Sequence, residues 1–180
     1  MILCFGTMLA DFHCDSPLIS YDSVSEDEKR LAKIKNFTMF YEDLNNNALP
    51  QWMFITPNMT NNAHDTSVTV AGTWAKGFLE PLLTDENFMN NTLVFLSSSC
   101  PFPNFSSEES LTRHPAFDET ESYFSNNRVF SILLGDAVPV ALHGTTNDTS
   151  YNHYSIMATV ENNWDLGNLG LGDKSAKAFF

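Results

Sequence analysis

The stretch Gln51–Thr66, QWMFITPNMTNNAHDT, decides the fold. It opens on Trp52-Met53-Phe54-Ile55, an apolar run too short for a helix and rich in β-forming side chains. That predicts a buried strand over Trp52–Ile55. Pro57 ends it, because proline has no N–H to give a sheet ladder. A polar loop of Asn, Thr and Asp carrying His64 follows, and then a helical pattern with Thr66 or Ser67 as its cap. Val70, Trp74, Phe78 and Leu82 recur at the spacing of one helix face. Strand, polar loop and helix start are how open α/β sheets build sites, at the carboxyl edge of the strands. His64 and Asp65 are expected in such a crevice, beside helix N–H groups that favour anions. On pattern alone a loop histidine is more often solvated than catalytic, so the site needs a second group to converge on it.

Upstream, Ser25–Leu44 predicts one helix. Ser25 and Glu28 make a capping box, Glu26 and Asp27 suit the first turn, and Leu31, Ile34, Phe37, Tyr41 and Leu44 form an apolar face. Asn45-Asn46-Asn47 stops it. Downstream, Asn90-Asn91 turns the chain into Thr92–Leu96, a second buried strand. Helix, strand, helix, strand predicts a parallel sheet with crossover helices. Ser97–Pro115 then breaks the pattern: it is rich in Ser and Pro, without periodicity, and long for a loop in a compact domain. With that segment set aside, the strand reads TLVFLAFDE, and Asp118 and Glu119 fall at its carboxyl end on the same edge as His64. Arg128–Leu134 predicts a third buried strand, ended by Gly135-Asp136 and Pro139. A polar loop covers His143–Asn152, and a last helix starts at Ser155 with Ile156, Val160 and Trp164 on one face. The glycine-punctuated tail Gly167–Phe180 is expected to wrap the surface.

Length and composition set the class. A chain of 180 residues with 43% hydrophobic and 13% aromatic content can build one domain with a core. Its net charge of −13 argues against nucleic acid and anionic membrane surfaces, both of which select basic patches. It suits a protein working in mildly acid solution, where protonated carboxylates relieve self-repulsion. The three cysteines, Cys4, Cys14 and Cys100, have no zinc spacing. Sequons at Asn36, Asn58, Asn90, Asn104 and Asn147 mark candidate glycosylation sites and lean towards a secreted or cell-wall location. The amino terminus, MILCFGTMLADFHC, lacks a basic start and meets Asp11 early, so it makes a poor signal peptide. The expectation is that the front of a secreted protein precedes it. No transmembrane span, internal repeat, GxSxG, HExxH or glycine-rich phosphate loop is present in the sequence.

The segments DSPLISYDSV, RLAKIKNFTMFYEDL, LPQWMFITPNMTNNAHDTSVTVAGTWAKGFLEPLL, NNTLVFL, FDETESY, NRVFSILLGDAVP, HGTTNDTSYNHYS and NWDLGNLGLGD run collinearly through the chain from Asp15 onward. In that order they resemble the fungal secreted acid phosphatases of the phosphoesterase family, which groups with phospholipase C-type enzymes. The resemblance implies an α/β fold: a partial alkaline-phosphatase-like domain, a mostly parallel sheet with flanking helices. Residues 1–180 would be the carboxyl-terminal part of a single phosphoesterase domain, with an insertion at 97–115. It also implies roles. The family's loop histidine falls on His64, which would contact phosphate oxygens or handle the leaving-group proton. The family's Asp-Glu pair falls on Asp118 and Glu119, which would hold a divalent metal ion beside a small phosphate-ester substrate. Hard carboxylate oxygens suit such a cation, and histidine titrates near working pH.

Three departures from the family pattern stand out. The family has Asp-Gly before the histidine, where this chain has Asn62-Ala63. Ser97–Pro115 is wedged before the metal carboxylates, as a retained intron or a fault in gene prediction would leave it. The family's amino-terminal half, with a Glu-Asn metal pair, further histidines and the hydroxyl nucleophile, has no counterpart in these residues. The expected function is therefore metal-assisted hydrolysis of phosphate monoesters, inactive or nearly so in these 180 residues alone. The alternatives are a phosphodiesterase or phospholipase C, and a non-catalytic secreted glycoprotein that keeps the fold.

Overall fold

A computed structural model describes residues 2–5, 17–63, 65–98, 116–118, 127–147 and 149–179. The chain divides into two compact units, one of Met1–Ser97 with Ile132–Val140, the other of Ser98–Ser131 with Ala141–Phe180. It mixes helix and strand, an α/β arrangement.

In the first unit the strands are β1 (Ile2–Phe5), β2 (Trp52–Ile55) and β3 (Leu93–Ser98). β1 lies between the other two and pairs parallel with both, Leu3 standing opposite Met53 and Val94. The expected strand at Trp52–Ile55 forms with its expected bounds. Met53 and Ile55 face the core while Trp52 stays 39% exposed, the alternation a one-sided strand requires. β1 was not anticipated: the apolar start of the chain was read only as a poor leader. Four residues of mixed aliphatic and aromatic type carry no periodicity that would separate the two readings.

Between β2 and β3 lies α4 (Val68–Leu83), the crossover helix. Ser67, one of the two expected caps, accepts the Val70 N–H at 3.4 Å. Phe78 and Leu82 are buried as expected and Trp74 packs against the core, but Val70 is 39% exposed and Leu79 is buried instead. A helix face drifts with each turn, and the first turn of α4 has left the sheet side. A short helix α5 (Glu86–Met89) follows, capped by Asp85 through the N–H groups of Asn87 and Phe88. Asn91, at φ 56°, turns the chain into β3, as expected of that pair.

The long helix expected over Ser25–Leu44 is corrected to three short pieces. They are α1 (Asp22–Ser25), α2 (Glu28–Leu31) and α3 (Phe37–Asn45). Ser25 ends α1 and caps nothing. Asp27 caps α2 through the N–H groups of Lys29 and Arg30, and Asn36 caps α3 through Met39 N–H at 3.0 Å. Each cap satisfies N–H groups that a continuous helix would bind to its own carbonyls, so each restarts the helix. Phe40, absent from the expected face, is the buried residue of α3, while Leu31 and Tyr41 are 39% and 45% exposed. Asn47 at φ 53° closes α3 where the Asn run was expected to stop it.

Phe40, Met53, Ile55, Phe78, Leu79, Leu82, Phe88 and Val94 form the core of this unit. Trp74 stacks on Phe78 at 5.3 Å, and Phe37 meets both rings edge-on at 5.7 and 5.4 Å. Removing the Phe78 ring from such a cluster costs about 3–5 kcal/mol.

The last strand, β5 (Asn127–Leu134), runs from the second unit into the first. In the second unit it pairs antiparallel with β4 (Ala116–Asp118), Phe117 opposite Arg128. With 97–115 set aside, Leu96 was expected to join Ala116, the inserted loop leaving the sheet after Leu96 and returning near Phe117. β3 continues two residues further, to Ser98, and the chain takes up strand again at Ala116–Asp118, which pairs with β5. The rest of the predicted insertion, 99–115, lies outside the described residues. The second unit also holds α6 (Tyr154–Trp164), with Ser155, Ala158 and Thr159 buried. Ile156, Val160 and Trp164 are only half-buried, a face offset by about one position from the expected one.

Candidate functional site

The loop between β2 and α4 is held by its own backbone. Asn58 Oδ1 accepts Asn61 N–H at 3.1 Å, and the Asn58 carbonyl accepts Asn61 and Asn62 N–H at 2.8 and 3.0 Å. Asp65 N–H reaches the Met59 carbonyl at 3.3 Å, and the Thr66 hydroxyl donates to the Thr60 carbonyl. Asn58 to Thr66 thus forms a self-bonded loop that leads into the first turn of α4. Asn62 is 8% exposed, with its Nδ2 3.7 Å from the Met59 sulfur. Ala63 stands at φ 69°, in the left-handed region that favours glycine.

His64 itself lies outside the described residues, as do Glu119 and Asn104. Asp118 is the last residue of β4, opposite Asn127, so it stands at a strand end. Among the described residues, no group of three or more His, Cys, Asp or Glu is placed to hold a metal ion. No helix among them is long and apolar enough to cross a membrane.

Four of the five sequon asparagines are described, and Asn36, Asn58, Asn90 and Asn147 are all exposed. Asn147 accepts Thr149 N–H at 2.9 Å and donates to the Tyr151 hydroxyl at 2.8 Å.

Comparison with known proteins places the chain. The model of the phosphoesterase family matches residues 14–167. The chain belongs to the phosphoesterase family. Among curated phosphoesterases it is 48% identical to the phosphate-repressible acid phosphatase of Penicillium chrysogenum, over 89% of this chain and 34% of that one. It is 46% identical to acid phosphatases of Aspergillus fumigatus and Aspergillus niger, over 89% and 91% of this chain and 32% and 35% of theirs. The phosphoesterase chain spans about a third of the length of these relatives. No solved structure matches it significantly.

One carboxylate of this phosphoesterase escaped the expected site altogether. Asp173 is 3% exposed, in a 3-10 turn over Gly172–Ser175. No apolar period marks it; the signal in the sequence was an acid closing the glycine-punctuated run Gly167–Gly172, where backbone N–H groups lie open to a carboxylate.

Proposed function

We propose that the chain contributes part of the active site of an acid phosphatase, hydrolysing small phosphate monoesters with the help of a divalent cation. The observation that supports this best is the identity of 46–48% to fungal acid phosphatases over 89–91% of the chain. The donor chemistry fits: Asp118 and Glu119 are adjacent carboxylates, the hard oxygen ligands such a cation takes. Bound there, the cation would neutralise phosphate charge and activate the attacking group. His64, four residues before α4 in the sequence, would bind a phosphate oxygen or pass the leaving-group proton. In this proposal the strands of the first unit belong to a larger, mostly parallel alkaline-phosphatase-like sheet. The five sequons and the charge of −13 support a secreted or cell-wall-associated glycoprotein.

These residues hold no counterpart of the family's hydroxyl nucleophile, so hydrolysis by the 180 residues alone is expected to be slight. Phosphate binding is the sharper readout. Inorganic phosphate should bind the chain in acid solution, and His64→Ala should weaken binding by about ten-fold, the loss of one charge-assisted hydrogen bond. Equal binding by the variant removes His64 from the site. Any residual hydrolysis should favour p-nitrophenyl phosphate over its diester. The reverse preference turns the assignment to a phosphodiesterase or phospholipase C. A non-catalytic glycoprotein is favoured by one observation, Ala63 occupying a left-handed position beside His64 that glycine fills without strain; absence of phosphate binding would decide for it.

A further inference from the structure

The sequons at Asn36, Asn58, Asn90 and Asn147 lie within the described residues, and the chain holds their reacting groups in different ways. A sequon is used through two groups, the amide Nδ2 that takes the sugar and the Thr hydroxyl that the transferring enzyme binds. Asn36 engages only its Oδ1, which accepts Met39 N–H at 3.0 Å, and Asn58 does the same with Asn61 N–H at 3.1 Å. Neither Nδ2 makes a hydrogen bond among the described residues, and Asn36, Thr38, Asn58 and Thr60 are all exposed. Asn90 is exposed as well, but its Thr92 is buried and donates its hydroxyl to the Phe88 carbonyl. Asn147 is tied at both groups. Its Nδ2 donates to the Tyr151 hydroxyl at 2.8 Å, and Lys177 Nζ donates to the Thr149 hydroxyl at 3.2 Å. The segment that carries Lys177 is itself anchored, with the Phe179 ring centre 4.4 Å from that of Tyr151 and Phe179 N–H donating to the Thr159 hydroxyl of α6 at 3.0 Å. Thr159 is buried and donates to the Ser155 carbonyl at 2.7 Å, so the anchor stands on the inner face of the helix.

We propose that folding sorts these sequons: Asn36 and Asn58 stay open to an N-linked sugar, Asn90 is closed by the burial of Thr92, and Asn147 is closed by the segment Lys177–Phe179. In the transfer, Nδ2 bonds the anomeric carbon of a diphosphate-activated sugar. The anomeric C–O bond breaks with its electron pair leaving on the diphosphate, and one amide proton passes to the enzyme. The caps at Asn36 and Asn58 survive this change, because Oδ1 keeps its lone pairs while the sugar extends from an exposed Nδ2. At Asn147 the sugar reaches Nδ2 only in the fraction of molecules in which Tyr151 and Lys177 have let go. At Asn90 the enzyme reaches the Thr92 hydroxyl only when the chain entering β3 leaves the core. The sorting rests on the reading of the chain as a glycoprotein, and it adds which asparagines the folded chain offers.

The test treats the folded full chain, made without sugar in a bacterial cytoplasm, with a soluble N-glycosyltransferase that moves glucose from UDP-glucose onto sequon asparagines. Mass spectrometry of peptides reads the rate at each site, divided by the rate of a synthetic peptide carrying the same sequon. Asn36 and Asn58 should react at least about ten-fold faster than Asn90 and Asn147, which must first break the hydrogen bonds that close them. Tyr151→Phe removes the hydroxyl and keeps the ring on Phe179, and it should speed Asn147 by about five-fold. The Lys177→Ala, Phe179→Ala double variant should speed it by about ten-fold, with the other three sites changing by less than about two-fold. A rise at Asn90 as well would mark general unfolding of the double variant, and Tyr151→Phe then decides. Equal rates at the four sites of the wild type, or an Asn147 rate that neither variant raises, overturns the proposal. Absence of any N-linked sugar on the naturally produced protein would instead end the glycoprotein reading and leave the order of these rates unchanged.

Discussion

Ala63 sits at φ 69°, directly before the histidine on which the proposed site depends. The left-handed region costs a side-chain-bearing residue about 1–2 kcal/mol, and glycine occupies it freely at some loss of chain entropy. Ala63→Gly should therefore stabilise the protein by about 0.5–1 kcal/mol, raising Tm by about 1–4 °C in a thermal melt. An unchanged or lowered Tm would show the loop to be relaxed as it stands. The replacement of glycine by alanine was visible in the sequence, but the strain was not, because φ is set by the hydrogen bonds of Asn58, Asn61 and Asn62 around it. The same limit applies to Asp173. Its burial was not read from the glycine-punctuated tail, and the turn that aims the N–H groups of Leu169 and Leu171 at it explains that burial.

Elements were legible where apolar period and turn residues agreed. β2, α4 and β3 lie close to their expected places because a short apolar run, a serine cap and an asparagine turn mark them independently. The helix over Ser25–Leu44 failed because Asp27 and Asn36 compete with helical carbonyls for the backbone N–H groups, a contest that periodicity does not register. β1 was missed for want of any signal beyond four apolar residues. At the end of β5, Gly135 was read as a strand stop, and the structure gives the reason. Its φ is 109°, and a Cβ there would lie 2.1 Å from the Thr92 carbonyl oxygen, which also accepts Ala137 N–H at 3.1 Å. Thr92 is 1% exposed and its hydroxyl donates to the Phe88 carbonyl, so the backbone it belongs to has no room to retreat. Gly135→Ala should destabilise by about 2–4 kcal/mol in urea unfolding. A loss under about 0.5 kcal/mol would mean that the turn after β5 moves freely.

At the scale of the whole molecule, the chain belongs to the phosphoesterase family and matches about a third of each acid phosphatase it resembles. Family membership was legible because long collinear segments carry far more information than any single motif. The convergence of His64 with Asp118 and Glu119 is an expectation, drawn from setting 97–115 aside and from that resemblance, because bringing a loop and a strand end together is a matter of tertiary structure and not of local pattern. The proposal that Asp118 and Glu119 hold a divalent cation is tested by a calorimetric titration of Mn2+ into the full chain. The wild type should bind one ion at least about ten-fold more tightly than the Asp118→Asn, Glu119→Gln double variant, because that change removes both charged ligands from the site. Equal affinity and stoichiometry in the two proteins would contradict the claim and leave only the diffuse attraction of an acidic surface.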